Sequence, residues 1–287
     1  MTAPFPCPTP TWHNNTYAAI SPKRPELSAA GKTVVITGAA GSVGRETALA
    51  FAEAGASLIV LLGRTEETIK QTASALPDSV PCQTFAVDIT QEDTLQRVAE
   101  TVGTWDILIH TAGYMSTPGR IASSETNEWW QSFETNAKGT FLSIKTFLPT
   151  ANKTHATILA LNTGVVALPS VALPGLSAYV ASKLAETKII EFLASEEPNI
   201  FSATVHPGLI ESDIFRKSGA KAEAVPLDKP QLPAHFMVWL SSPEASFLKG
   251  RAVWANWDVE ELKGQANAIE SGIQFTSGMN GWPFSAT

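Results

Sequence analysis

Tyr179 and Lys183 stand four residues apart in Tyr179-Val180-Ala181-Ser182-Lys183. In a helix, that spacing projects both side chains from one face. An ammonium beside a phenol stabilises the phenolate. It draws the tyrosine down from its ordinary pKa of about 10, toward the range where proton exchange at neutral pH is useful. An ordinary amphipathic helix offers the same spacing, so the pair gains meaning only beside a second site. Thr37-Gly38-Ala39-Ala40-Gly41-Ser42-Val43-Gly44 supplies one. Its glycines follow an apolar run and open a helical one, as a dinucleotide-binding loop requires. Glycine lets the backbone turn sharply and approach a pyrophosphate. The helix start adds free N–H groups and the positive end of a dipole.

Gly63-Arg64-Thr65 closes the next apolar run. An acid there would accept hydrogen bonds from a ribose diol and select NAD. Gly63 carries no carboxylate, and Arg64 can clamp a 2′-phosphate in bidentate fashion, which points to NADP. Thr65 can cap the helix and touch the same phosphate.

These residues need elements to hold them. Residues 1–31 carry six prolines and read as an irregular leader, with Trp12, Tyr17, Ile20 and Leu27 fixing it to the surface of the domain. From Lys32 onward, strands alternate with helices. Strands are expected at 33–37, 57–62, 83–87, 106–111, 157–161, 200–205 and 251–255. Helices are expected at 43–53, 66–75, 91–102, 127–148, 177–195 and 233–241. Residues 209–228 read as a loop with short helical turns. Alternation of this kind implies right-handed crossovers and a parallel, doubly wound α/β sheet of seven strands. Such a sheet binds its ligand at the carboxyl ends of the strands.

Together the glycine loop and the Tyr179/Lys183 pair resemble the short-chain dehydrogenase/reductase family, from about Thr11 to Phe284. The resemblance implies one Rossmann-type domain over 32–287. It also implies a cofactor site formed by Gly38, Gly41, Ser42, Val43 and Gly44. Ser42 stands where most members have the middle glycine, and can donate a hydrogen bond there. Asp88-Ile89 resembles the pair that meets the adenine, although a plain helix-capping aspartate is nearly as compatible. His110-Thr111-Ala112-Gly113 matches the family's Asn-Asn-Ala-Gly at Ala112 and Gly113. Thr111 is expected to weaken whatever bonding the asparagine gives the sheet.

Asn136 looks like the family asparagine that holds a water for the proton relay. Thr163 takes the place of the catalytic serine, with Ser170 and Ser177 as fallbacks. Pro207, Gly208, Ile210 and Ser212 match the segment that holds the nicotinamide carboxamide. The segments Gly250–Asp258 and Gly281–Phe284 look like a branch common in filamentous fungi, many of whose members serve specialised-metabolite pathways.

The resulting expectation is an NADP(H)-dependent ketoreductase or alcohol dehydrogenase. Tyr179, Lys183, Thr163 and Asn136 are its catalytic residues. Its substrate is a bulky apolar small molecule walled by residues 164–176 and 209–228. Two rivals stand beside it: a non-redox or bifunctional enzyme guiding cyclisation or rearrangement, and a non-catalytic nucleotide-binding regulator. A homodimer or homotetramer is expected, because helices 127–148 and 177–195 are apolar on more than one face.

Composition narrows the field further. A net charge of −7 gives no footprint for nucleic acid, and 44% apolar residues suffice for a sizeable core. Two cysteines and five scattered histidines offer no metal spacing. The absence of a long apolar run or a signal-like start points to a cytoplasmic protein without a membrane span.

Overall fold

Strands buried on both faces need only short runs, and the chain supplies five of them, flanked by a half-exposed edge strand at 82–86 and a three-residue one at 252–254. The computed structural model describes residues 7–279. Among these, β1 (Thr33–Thr37), β2 (Leu58–Gly63), β3 (Cys82–Ala86), β4 (Ile107–His110), β5 (Ala156–Leu161), β6 (Ile200–His206) and β7 (Ala252–Trp254) form one sheet in the order β3-β2-β1-β4-β5-β6-β7. Every pairing is parallel.

The order reverses between β1 and β4, and this opens a crevice at their carboxyl ends. Alternate residues serve opposite faces. Val34, Ile36, Ile59, Leu61 and Ile109 enter one core, against α1 (Ser42–Glu53) and α8 (Gln231–Leu240). Val35, Val60, Leu62, Leu108 and Ile158 enter the other, with α3 (Glu92–Val102), α5 (Thr140–Phe147) and α6 (Ser177–Glu196).

The helix expected over 127–148 is not continuous. It runs as α4 (Thr126–Phe133), a π-helical segment (Glu134–Gly139) and then α5. Gly139 marks the change, since a Cβ there would meet Ile89 Cδ1 at 2.6 Å. The strands otherwise agree with expectation to within a residue or two. Two helices were not anticipated, α9 (Val259–Lys263) and α10 (Ala266–Ser271), which lie beyond the last strand.

The described part of the leader is held by apolar side chains. Trp12, Ile20 and Leu27 are buried in the first cluster. Tyr17 Oη donates to the Trp257 carbonyl (3.2 Å) and accepts from the Val259 N–H (3.0 Å). The expected family segment Gly281–Phe284 lies outside the described residues. No helix among the described residues is long and apolar enough to cross a membrane.

Candidate active site

Helix α6 buries Tyr179, Ser182, Lys183, Glu186 and Thr187 along one side, as the i, i+3, i+4 spacing dictates. The Tyr179 phenol is hydrogen-bonded to the Thr163 side chain, just past β5. The fallback serines are placed elsewhere. Ser177 Oγ accepts from Trp129 Nε1 at 3.0 Å, and Ser170 is exposed.

Lys183 Nζ donates to the Leu161 carbonyl (2.6 Å) and to Glu186 Oε2 (2.7 Å), and not to the phenol. This alters the electrostatics expected from the spacing alone. Burial pushes the Tyr179 hydroxyl above its ordinary value and the Glu186 carboxylate pushes the same way, while the Thr163 hydrogen bond opposes them. The pair is therefore a triad of phenol, ammonium and carboxylate. Glu186 was not singled out from sequence, although its place three residues after Lys183 is a readable signal.

Asn136 is fully buried in the π-helical segment. Its Oδ1 accepts from the Tyr114 N–H (2.8 Å). Its Nδ2 donates to the Tyr114 carbonyl (2.8 Å) and to Ser182 Oγ (2.9 Å). It thus ties the chain after β4 to α6. A π-turn is uncommon in a helix and often marks a functional position, and here it carries Asn136.

The glycine loop is shaped by contact. Gly38 has φ +65°, and a Cβ there would lie 2.5 Å from the Ala112 nitrogen. At Gly44 a Cβ would lie 2.4 Å from the Gly38 oxygen and 2.6 Å from Thr111 Oγ1. Gly41 precedes α1 at its N-terminus, with Ser42 half-buried as the first helical residue and Val43 buried behind it. Thr111 does not weaken this corner: its hydroxyl donates to the Thr37 carbonyl at 2.7 Å and so bonds β4 to the end of β1.

Arg64 and Thr65 are exposed at the start of α2 (Glu66–Ala73), and Arg64 makes no ion pair among the described residues. A Cβ at Gly63 would meet Ile69 Cγ2 at 2.5 Å. No acid can be placed there without moving Ile69. Asp88 uses Oδ1 to accept from the Thr90 N–H and hydroxyl, both at 2.9 Å, and Ile89 is buried. A Cβ on Gly113 would sit 3.5 Å from Asn136 Oδ1 and 3.7 Å from Lys183 Nζ, so Gly113 lies beside both side chains. This backbone-lined cradle, with a helix start beside it, fits a dinucleotide.

Segment 209–228 is pinched shut at its neck. The Leu209 N–H donates to Asp228 Oδ2 (2.7 Å), and the Asp228 N–H donates to the Leu209 carbonyl (2.9 Å). Asn14 of the leader donates to Asp228 Oδ1 at 2.5 Å. Gly208, at φ +89°, is required because its Cβ would strike Asp228. Ile210 is buried, and Ser212 Oγ caps α7 (Asp213–Lys217) by accepting from the Phe215 N–H.

A second tie fixes the tip. Lys217 Nζ donates to Glu128 Oε1 and Tyr114 Oη, each at 3.0 Å, and Tyr114 Oη donates to Glu128 Oε2 at 2.6 Å. The Tyr114 hydroxyl, the Thr117 N–H and Lys217 together hold the Glu128 carboxyl down at about 2. Nothing local predicts this latch, since its members are 89 and 103 residues apart.

A doubly wound sheet with a glycine-rich crevice, and a buried tyrosine and lysine on the following helix, defines a nicotinamide-dependent type of site. Comparison with known proteins agrees. The family profile described as short chain dehydrogenase matches residues 32–223. The short chain dehydrogenase mpl6 of Monascus purpureus is 32% identical over 279 residues, covering 91% of this chain and 94% of its own. A short chain dehydrogenase/reductase of Claviceps purpurea is 34% identical over 269 residues, covering 90% and 89%. Among solved structures, the Escherichia coli oxidoreductase yciK superposes with a TM-score of 0.74 at 22% identity, over 81% of this chain and 97% of that one. A 3-ketoacyl-(acyl-carrier-protein) reductase of Brucella melitensis, complexed with NADH, gives 0.72 at 25% identity, over 80% and 98%. The chain belongs to the short-chain dehydrogenase/reductase family of oxidoreductases.

Proposed function

We propose that the protein is an NADP(H)-dependent oxidoreductase that interconverts a ketone and a secondary alcohol on a bulky, largely apolar small molecule of specialised metabolism. The observation that carries this reading is the Tyr179 phenol bonded to Thr163, with Lys183 on the same buried helix face. Tyr179 donates a proton to the substrate oxygen, or takes it back. Thr163 holds that oxygen by a hydrogen bond, which strengthens as negative charge develops. Lys183 holds the nicotinamide ribose and its charge acts on the phenol. Asn136 aligns the helix that carries them.

Bound NADPH supplies the hydride. Gly38, Gly41, Ser42, Val43 and Gly44 take its pyrophosphate, Arg64 and Thr65 its 2′-phosphate, and Asp88, Ile89, Ala112 and Gly113 its adenosine. Pro207, Gly208, Ile210 and Ser212 take the carboxamide. The test is NADPH consumption against a panel of bulky ketones. Turnover without consumption contradicts the reading.

Cofactor choice rests on Arg64 and on the packing of Gly63 against Ile69. Arg64→Ala is expected to weaken NADPH binding by about 1.5–3 kcal/mol, roughly 10- to 150-fold, and NADH binding far less. Fluorescence titration with both cofactors measures it. A wild-type preference for NADH contradicts the assignment.

The assembly proposed is a homodimer or homotetramer. Trp130 on α4, Phe141 on α5 and Leu184 and Phe192 on α6 are large apolar side chains, each more than a third exposed, with Phe192 at 58%. A patch of this kind is normally covered. Light scattering is expected to give a dimer or larger at micromolar protein, and a pure monomer would reject the proposal.

A further inference from the structure

Asp228 closes the neck of segment 209–228 from the inside, and a residue of the leader holds it there. It is buried, at 6% exposure. Oδ2 accepts from the Leu209 N–H (2.7 Å), and the Asp228 N–H returns a bond to the Leu209 carbonyl (2.9 Å). A Cβ on Gly208 would lie 2.4 Å from the same Oδ2, so the carboxylate rests flush against the turn that follows β6. The other oxygen, Oδ1, accepts from Asn14 Nδ2 at 2.5 Å, and the Lys229 N–H donates to the Asn14 carbonyl at 2.9 Å. A buried carboxylate is tolerated only when its oxygens are hydrogen-bonded. Here one oxygen serves the turn and the other serves the leader.

Asn14 is offered from a fixed base. The His13 N–H donates to the Asn256 carbonyl (2.9 Å), Asn256 Nδ2 donates to the His13 carbonyl (2.8 Å), and Trp12 forms an antiparallel bridge with Trp257. The turn held in this way borders the crevice at both ends. A Cβ on Gly164, next to Thr163, would lie 3.0 Å from His206 Cδ2. A Cβ on Gly113, beside Lys183, would lie 3.6 Å from Ile214 Cδ1. Residues 207–213 therefore span from the Thr163 side of the site to the Gly113 side.

We infer that Asp228 and Asn14 are positioning residues: the carboxylate, held by the leader, fixes the turn 207–210 where it takes the nicotinamide end of the cofactor. The inference rests on the cofactor assignment proposed above and deepens it, because it gives the leader a part in that site. Neither side chain has to touch the cofactor; both act through the backbone of Gly208 and Leu209.

The contact has a polarity, and the polarity supplies the test. An ionised carboxylate only accepts, whereas an amide both donates and accepts. Asn14→Asp sets two carboxylates against each other. Combining it with Asp228→Asn exchanges the partners: one amide again faces one carboxylate, and the amide oxygen is left to accept from the Leu209 N–H. Calorimetric titration of the whole protein compares NADPH with 2′-phospho-ADP-ribose, which keeps the adenosine, the 2′-phosphate and the pyrophosphate but lacks the nicotinamide.

In Asn14→Asp, NADPH affinity is expected to fall roughly 10-fold, while 2′-phospho-ADP-ribose binds as it does to the wild type. The exchanged double variant should recover most of the loss. Asn14→Ala removes only the donor, so its NADPH affinity should lie between wild type and Asn14→Asp. If the facing carboxylates prevent folding, Asn14→Ala decides. A merely structural role would weaken both ligands together. Equal losses for the two ligands, no loss for either, or a loss that the exchange does not recover overturns the inference and leaves the ketoreductase reading standing. Nicotinamide-dependent losses and recovery in a protein that consumes no NADPH with any ketone would uphold the inference and overturn that reading.

Discussion

Tyr179→Phe is expected to lower turnover by at least about 10²-fold while cofactor affinity stays near wild type. The substitution keeps the ring and its packing, and removes only the hydroxyl bonded to Thr163. Phenylalanine also relieves a buried polar group, so the variant should fold at least as well. Lys183→Ala should damage both turnover and cofactor binding, because the ammonium serves phenol and ribose together. It also leaves the Glu186 carboxyl buried without its 2.7 Å partner, so its melting temperature should fall. Thr163→Ala should reduce turnover and Thr163→Ser should restore most of it, since the hydroxyl is the part required. Steady-state kinetics with parallel cofactor titration separates these outcomes. Normal turnover in Tyr179→Phe would exclude the phenol as the proton donor.

Gly38→Ala should cost about 2–4 kcal/mol of stability, combining a left-handed backbone angle with overpacking. The collision is with backbone, 2.5 Å from the Ala112 nitrogen, and no side chain can swing aside to relieve it. Either the turn after β1 or the segment after β4 that carries Ala112 must shift, and both shape the proposed phosphate cradle. Cofactor affinity should therefore fall with stability. Gly31 provides the control. It shares a positive φ (+79°), but nothing lies within 4 Å of its would-be Cβ. Gly31→Ala should lose only the conformational part, about 1 kcal/mol, and bind cofactor normally. Chemical denaturation of the two variants tests the distinction. Equal losses would mean that the close approach to Ala112 does not matter.

Much of this architecture could be read from the chain because its signals are local. Buried parallel strands are short runs rich in β-branched residues, Gly41 opens α1 and Gly103 ends α3, and the Tyr179/Lys183 spacing fixes a helix face. What stayed hidden depends on contacts far apart in sequence. The π-helical segment at Glu134–Gly139, beside the close approach of Ile89 to Gly139, is contained in no helix-propensity pattern. Thr111 reads as a weakened asparagine until the Thr37 carbonyl is seen beside its hydroxyl. The leader reads as irregular from its prolines and as packed on the domain from its apolar anchors, but how deeply they sit is not in the sequence. In the fold, Trp12, Ile20 and Leu27 are core residues, and Asn14 reaches the neck of the 209–228 segment. The effect of Lys183 on the phenol is the sharpest difference. Spacing implies a lowered phenol, whereas burial and Glu186 raise it.

Mass spectrometry of products formed from bulky ketones with NADPH deuterated at the transferable position tests the central claim most directly. The account predicts one deuterium on the new carbinol carbon and one NADPH oxidised per alcohol formed, with both lost in Tyr179→Phe. A rearranged or cyclised product that carries no deuterium and leaves NADPH unspent would contradict it.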